Sequence, residues 1–178
     1  NDIVALDIDN INELNSNNGT NFFRDKSKYA PHNLYTSVPE LVKFAQTRGY
    51  ATETEKSRVF SYNQTDVDIN GEATTEIVLP YTAAYVVSYK YNADKQMYER
   101  FVNDSPHISE STGTSLYAKN IIVYQLENYS IDSVGRQELE NLGSGKGYYI
   151  TNGKRIPITW SKSSRSGKTI YKTENGES

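Results

Sequence analysis

Two histidines, His32 and His107, are the side chains of this 178-residue chain best suited to move a proton near neutral pH. Each follows a proline and precedes polar residues, in the segments APHNLY and SPHISE. Neither belongs to an HExxH or HxxxH pattern, in which two histidines would hold one metal ion. The sequence therefore allows general acid–base catalysis or ligand binding by each histidine, and it also allows a structural role within a turn.

The segment around His32 carries further charged and polar side chains. Arg24 and Asp25 precede it, and Asn33 and Tyr35 follow it closely. We predict that these five residues bind a ligand, because an arginine can hold an anion next to a histidine that can move a proton. The alternative for the charged residues is a solvated surface of mixed charge.

A second candidate anion site is the glycine-rich segment GSGKG, which spans 143–147 and looks like a phosphate-binding loop at first sight. Such a loop requires Ser or Thr after its lysine and leads into a helix, whose N-terminal amides hold the phosphate. Lys146 is instead followed by Gly147 and by Tyr-Tyr-Ile-Thr, which has the pattern of a strand. We therefore predict a tight turn or bulge that leads into a hairpin, and we keep Lys146 as a candidate ligand for an anion.

Composition excludes several classes of function. The chain has no cysteine, which rules out thiol catalysis, a disulfide scaffold and cysteine-ligated zinc. With a net charge of −3, the chain lacks the positive charge expected of a protein that binds nucleic acids without sequence specificity. No apolar run of about 18 residues is present, and no motif predicts a cofactor or a metal site. Fifteen tyrosines favour strands and partly hydrated recognition surfaces.

The helices that must position these residues are predicted from apolar spacing and capping residues. Apolar residues three apart predict a short amphipathic helix over 7–14. The segment from Ser37 to Glu40 has the spacing of a capping box, with Pro39 in the first turn. It predicts a second helix that ends at Gly49.

Strands dominate the second half of the chain. Two hairpins are predicted, one over 84–102 and one over 148–160, where Asn152-Gly153 is a strong signal for a two-residue turn. The fold class is predicted as α+β. A partial α/β N-terminal unit, residues 1–75, precedes a unit that is mostly an antiparallel β-sheet or barrel-like, residues 76–178.

Several segments, taken in order, resemble one bacterial family: FFRDKSKYAPHNLYTSVPEL, YNADKQMYERFVNDSPHISESTG, AKNIIVYQ and GRQELENLGSGKGYYITNGKRIPITWSK. They are similar to the YerB-like lipoproteins of Gram-positive bacteria, which carry domain of unknown function 3048 in an N-terminal and a C-terminal part. The resemblance implies an extracytoplasmic protein with its lipid anchor upstream of this chain. It also implies that part of the N-terminal domain, and a last strand after Gly176, are missing from the chain.

Two main hypotheses of function follow. The first is a non-enzymatic binding module of the cell envelope, whose partner is a cell-wall polymer or an envelope protein. The second is a hydrolase or transferase that acts on envelope glycans or anionic polymers, with Arg24, His32 and His107 in one cleft. A purely structural assembly domain is a third. No nucleic-acid partner is expected, and the membrane is reached only through the upstream lipid anchor.

Overall fold

The structure, a computed structural model, describes residues 2–5, 7–14, 21–53 and 60–176. The chain forms two compact units, unit 1 (Asn1–Arg58) and unit 2 (Val59–Ser178). The elements of unit 1 are α1 (Asp2–Ala5), β1 (Phe23–Arg24), β2 (Leu34–Tyr35) and α2 (Val38–Thr47). The elements of unit 2 are β3 (Glu72–Ala73), β4 (Glu76–Thr82), β5 (Tyr85–Asn92), β6 (Met97–Val102), β7 (Ser105–Pro106), β8 (Tyr117–Ala118), β9 (Asn120–Tyr124), β10 (Asn128–Ser130), β11 (Gln137–Leu139), β12 (Gly143–Thr151), β13 (Lys154–Lys162) and β14 (Ile170–Thr173).

Helix α2 forms where the sequence predicts a helix. The Ser37 hydroxyl accepts a hydrogen bond from the backbone N–H of Glu40 at 3.4 Å, and a proline lies in the first turn, where its missing N–H is not needed. Gly49 follows the last turn with a φ of 69°, a conformation that favours glycine. The predicted start and end of this helix are confirmed.

The helix predicted over 7–14 is wrong. The Asn10 side chain donates a hydrogen bond to the carbonyl of Ile8 at 3.2 Å, and the backbone N–H of Leu14 donates to the Asn12 side chain at 3.0 Å. Asparagine side chains compete in this way with the hydrogen bonds of a helix. The helical turn lies earlier, in α1, and has only four residues.

The two strands of unit 1 form a small antiparallel pair. Phe23 lies opposite Tyr35, and Arg24 lies opposite Leu34. The loop over 25–33 that joins them is too short for a parallel crossover. The described residues of unit 1 contain no parallel strand pair. The prediction of an α/β unit is therefore wrong for these residues.

Unit 2 contains two five-stranded antiparallel sheets. The first sheet has the order β4-β5-β6-β7, with β8 also paired to β6. The second sheet has the order β14-β13-β12-β9, with β3 also paired to β13. The strands β10 and β11 form a separate hairpin. Both sheets are open, so the barrel-like alternative is corrected to a pair of sheets, and antiparallel β-structure dominates the α+β fold.

The core of unit 2 lies where the two sheets pack together. Ile77 and Tyr98 come from the first sheet, and Ile121 and Ile150 come from the second. Tyr98 is fully buried, and its hydroxyl donates a hydrogen bond to the carbonyl of Thr74 at 2.7 Å. Apolar side chains on one face of each sheet therefore hold the unit together, and the polar end of Tyr98 is satisfied.

The glycine-rich segment 143–147 is not the predicted turn but the first half of strand β12. Gly145 lies opposite Trp160 of β13, and a Cβ at this position would stand 2.6 Å from the indole nitrogen. A Cβ at Gly147 would stand 2.8 Å from the Cβ of Tyr124. These glycines serve close packing of aromatic side chains over the strand, because only a residue without Cβ leaves room for them.

The hairpin predicted at Asn152-Gly153 is confirmed. Both residues have positive φ, 49° and 73°, as a tight two-residue turn between β12 and β13 requires. The hairpin predicted over 84–102 is confirmed as β5 and β6, with paired residues from Val87–Val102 to Asn92–Met97. The predicted domain boundary after residue 75 stays a prediction.

No helix among the described residues is long and apolar enough to cross a membrane.

Candidate functional site

The loop over 25–33 in unit 1, with Arg24 before it, is held in one conformation by Asn33. We call this segment the Arg24–Asn33 loop. Asn33 is only 7% exposed, and its amide nitrogen donates hydrogen bonds to the carbonyls of Asp25 at 2.9 Å and of Lys28 at 3.1 Å. Its side-chain oxygen accepts a hydrogen bond from Arg24 at 3.0 Å. All the hydrogen-bonding capacity of this buried amide is thus directed at the loop and its arginine.

Charged groups surround this amide at the surface. Arg24 also forms an ion pair with Glu13 at 3.4 Å, and nearly half of its side chain is exposed. Lys28 donates a hydrogen bond to the Tyr35 hydroxyl at 2.6 Å, and its ammonium lies 5.0 Å from the centre of the same ring. These two contacts with Tyr35 therefore restrain the position of the Lys28 side chain.

Asp25 is turned toward its own loop. Its carboxylate accepts hydrogen bonds from the backbone N–H of Ser27 at 2.8 Å and from the Ser27 hydroxyl at 2.6 Å. These two bonds, together with the charge of Lys28, lower the pKa of Asp25. The Asp25 carboxylate is thus engaged by the loop itself, whereas Lys26 is exposed.

His32 lies in the turn just before Asn33 and is exposed. Tyr29, in the same loop, is 93% exposed. The structure therefore brings together all five candidates of this segment, Arg24, Asp25, His32, Asn33 and Tyr35, but it gives them different roles. Asn33 and Asp25 shape the loop, whereas His32 and nearly half of the Arg24 side chain are exposed.

His107 belongs to a different arrangement in unit 2. Its backbone N–H donates to the carbonyl of Arg100 at 2.8 Å, and its own carbonyl accepts from Leu116 at 2.8 Å, so the histidine is fixed beside strand β6. The guanidinium of Arg100 donates a hydrogen bond to Nδ1 of His107. Since an arginine can only donate, Nδ1 must accept, and the proton of the neutral ring then lies on Nε2.

Two tyrosines complete this arrangement, which we call the Arg100 cluster: Tyr85, Tyr89, Arg100 and His107. Tyr89 lies directly opposite Arg100 in the sheet, and Tyr85 shares its face because it is four residues away on the same strand. The pKa of Arg100 is raised mainly by a hydrogen bond with the Tyr85 side chain and further by Tyr89. Burial acts in the opposite direction and lowers this pKa. The sequence analysis missed Arg100 and both tyrosines, because only strand register brings them together.

Lys146 is separate from both arrangements. It lies in β12 opposite Thr159, at the point where β9 has already ended. Together with Gln125, Leu126 and Glu127 it lines a shallow cavity of about 370 Å³. Lys146 therefore remains a candidate anion ligand at a position of its own, beside a glutamate.

The candidate residues thus fall into three places, one in unit 1 and two in unit 2. Arg24, Asp25, His32, Asn33 and Tyr35 lie in one loop, whereas His107 and Lys146 belong to unit 2. Among the residues that the structure describes, no group of three or more His, Asp and Glu side chains is arranged to hold a metal ion. The roles predicted for these residues stay predictions.

Comparison with known proteins places the chain in a family. Residues 77–178, more than half of the chain, match the family described as "Protein of unknown function (DUF3048) C-terminal domain". The chain belongs to this family. The match begins in β4 and includes every strand of both sheets except β3, with the Arg100 cluster and Lys146.

One curated relative of the chain is the "Putative lipoprotein YerB" of Bacillus subtilis strain 168. It is 26% identical over 144 residues, which are 80% of this chain and 43% of the relative. The crystal structure of YerB from Bacillus subtilis superposes with a TM-score of 0.75 at 22% identity, over 95% of this chain and 59% of that one. This likeness shows a shared fold, and the chain spans about half the length of the relatives that it matches.

Proposed function

We propose that this DUF3048 chain is part of a non-enzymatic binding module of the cell envelope, which binds an anionic envelope polymer through the Arg24–Asn33 loop. The module is extracytoplasmic and is held at the membrane by a lipid anchor on another segment of the protein. The family resemblance and the description of the Bacillus subtilis relative as a lipoprotein support this location.

The observation that carries the proposal is the buried amide of Asn33. It binds two loop carbonyls and Arg24, and these three hydrogen bonds favour the observed conformation of the loop. A preorganised loop loses less conformational entropy on binding than a mobile one. Natural loops that carry function are commonly positioned in this way by a rigid support.

The charge of the loop indicates the chemistry of its ligand. It contains three cationic side chains, Arg24, Lys26 and Lys28, and one carboxylate, in a chain whose net charge is −3. The carboxylate, Asp25, accepts hydrogen bonds from the loop itself. A local excess of cations on an acidic protein attracts a polyanion, and this attraction weakens as salt screens it.

The proposal is tested by cosedimentation of the purified protein with cell-wall material from a Gram-positive bacterium, at low and at physiological salt. We expect retention that decreases with salt. A Lys26→Ala/His32→Ala variant is expected to lose most of it, because these two exposed side chains are removed while the contacts of Asn33 are kept. Lys43→Ala, which removes an exposed cation from α2 in the same unit, is the matched control and is expected to be retained.

Absence of retention, together with the absence of any envelope partner in crosslinking, would contradict the proposal. Equal loss in the Lys43→Ala control would show that the loop has no special part in binding. The same material also tests the enzymatic alternative. Release of soluble sugar or phosphate that disappears in both His32→Ala and His107→Ala would favour a hydrolase over a binding module.

A further inference from the structure

The Arg100 cluster differs from the other arginine contacts of unit 2 in the partners of the cation. Arg155 binds Glu72 through both carboxylate oxygens, at 2.9 Å and 2.8 Å from Nη2, and Arg136 binds Asp132. Arg100 instead contacts His107 and lies on the same face of the sheet as Tyr85 and Tyr89. No carboxylate in the described part of the chain forms an ion pair with Arg100.

Arg100 is half-buried as a residue, and its guanidinium lies near the surface. Arg100, Tyr89 and His107 are half-buried on the inner face of the first sheet. An anion balances a guanidinium charge, whereas neutral partners such as tyrosine and histidine do not. The cluster therefore has a positive charge that its own protein groups do not balance.

The hydrogen-bonding groups around Arg100 have spare donors. The guanidinium has five N–H groups, of which the histidine takes one. Each tyrosine hydroxyl can accept from the guanidinium and still donate its own proton. Nε2 of His107 is a further donor when the ring is neutral, because Nδ1 is occupied as an acceptor. These donors come from β5, β6 and the residue after β7, which strand pairing places next to one another.

The cluster is open to solvent on one side. Tyr85, at the start of β5, is 44% exposed, whereas its strand neighbour Val87 is 2% exposed. Tyr85 is therefore an exposed member of the cluster, next to the apolar core of the same sheet face.

We propose that Arg100, His107, Tyr85 and Tyr89 form an oxyanion-binding site that takes the phosphate or carboxylate group of a ligand. The planar guanidinium binds two oxygens of such a group, and the tyrosine hydroxyls and Nε2 of His107 donate to the others. This site lies in unit 2, within the part of the chain that matches the family, and it does not rest on the function proposed for the Arg24–Asn33 loop.

The experiment is an NMR titration of the ¹⁵N-labelled protein with sodium phosphate and, in a second arm, with sodium acetate, each against sodium chloride at equal ionic strength. We expect saturable shifts of the Arg100 side-chain N–H and of the backbone amides of Tyr89 and His107 at millimolar anion. The stronger of the two arms identifies whether phosphate or carboxylate is the preferred group. Chloride alone is expected to leave these signals unchanged.

Three variants test which groups bind the anion. Arg100→Gln is expected to weaken binding by about tenfold or more, because a charge-assisted contact is lost. Tyr85→Phe removes one hydroxyl from an exposed ring and is expected to weaken binding by about threefold without unfolding the sheet. Arg155→Gln, which removes an equal charge from a guanidinium already paired with Glu72, is the control and keeps the wild-type affinity.

The proposal is overturned if neither anion shifts the Arg100 signals, or if Arg155→Gln weakens binding as much as Arg100→Gln. If Arg100→Gln does not fold, Tyr85→Phe provides the test. Wild-type affinity of Tyr85→Phe for the anion would also overturn the proposal. Lys26→Ala/His32→Ala is expected to bind the small anions normally. An outcome that contradicts polymer binding by the Arg24–Asn33 loop can therefore be distinguished from one that contradicts anion binding by the Arg100 cluster.

Discussion

The Arg24–Asn33 loop and the Arg100 cluster contain the same kinds of side chain, an arginine, a histidine and tyrosine, but they are built in opposite ways. The loop takes its groups from one short stretch of sequence and orients them around a buried amide. The cluster takes its groups from the two strands β5 and β6 and from His107, which follows β7. Similar chemistry therefore has a local origin in one unit and a tertiary origin in the other.

The two regions also differ in what is buried. Asn33 is the one buried residue among the described residues of unit 1. The buried apolar residues of unit 2 are Ile77, Val87, Tyr98, Ile121, Ile150, Ile158 and Trp160. Hydrogen bonds, which contribute about 1 kcal/mol each, position the loop. Packing of large side chains, which contributes about 1.5–3 kcal/mol for each one fully buried, positions the cluster.

This difference makes the two sites respond differently to substitution. A site held by hydrogen bonds can lose its local order while the rest of the unit persists. A site on packed sheets is disturbed only when the packing itself is disturbed, and then the whole unit is affected. The three predictions below test this contrast, in order of decreasing effect.

The largest effect is expected for Gly145→Ala in unit 2. The added methyl would stand 2.6 Å from Nε1 of Trp160, whose side chain is buried. We expect the free energy of unfolding of unit 2 to fall by about 2–3 kcal/mol, as for overpacking of a core. Denaturant unfolding followed by the fluorescence of Trp160, the only tryptophan in the chain, measures it.

Ser144→Ala is the control for this prediction, because Ser144 is exposed next to the same glycine. It is expected to change the free energy of unfolding by less than about 0.5 kcal/mol. If Gly145→Ala were as stable as Ser144→Ala, the close packing of Trp160 on β12 would be refuted. The contrast between packed sheets and a hydrogen-bonded loop would then lose its basis.

A smaller and more local effect is expected for Asn33→Ala. The substitution removes two donors from the carbonyls of Asp25 and Lys28 and the acceptor of Arg24. Since these groups can be partly rehydrated near the surface, we expect a loss of about 1–2 kcal/mol, confined to the loop. Hydrogen exchange of the amides over 25–35 is expected to accelerate, while the amides of β12 and β13 keep their protection.

Asn10→Ala is the matched control in the same unit, because Asn10 makes a single exposed hydrogen bond. It should leave exchange over 25–35 unchanged. Acceleration throughout both units in Asn33→Ala would contradict the view that the loop is ordered locally. Unchanged exchange in the loop itself would remove the observation on which the proposed function depends.

The smallest effect is expected from alkaline pH and concerns unit 2. Burial, with a hydrogen bond to Tyr124, raises the pKa of Tyr171 from 10.0 to about 12. Between these values the unfolded chain has lost the proton and the folded chain has kept it, so stability decreases as pH rises. The contribution is fully present below pH 10 and is lost by about pH 12.

Unfolding measured at several values of pH in this window checks the prediction. Tyr171→Phe, which cannot ionise at this position, is expected to lose stability less steeply than the wild type. Tyr62→Phe, at a position that is 71% exposed, is expected to follow the wild type. Identical slopes for all three proteins would show that Tyr171 is not shielded in the packed unit.

Several elements could be predicted from sequence because their causes are local. The capping serine and closing glycine of α2 act within one helical turn, and Asn152-Gly153 adopts the positive φ of its turn without help from other strands. The spatial proximity of Arg24, His32 and Asn33 could be predicted for the same reason, since these residues are close together in the sequence. The helix over 7–14 was mispredicted, because asparagine side chains there bind the backbone in place of helical partners.

The family of this chain, its second helix, its Asn-Gly hairpin and its loop of charged residues are therefore determined by the sequence, because each depends on neighbours along the chain. The tertiary structure alone decided two other features. Gly145 and Gly147 lie in strand β12 and do not form a turn. They leave space for the side chains of Trp160 and Tyr124. Arg100 meets Tyr85, Tyr89 and His107 only because strand register places them on one face of the sheet. Contacts between residues distant in sequence depend on register and packing, which no local pattern encodes.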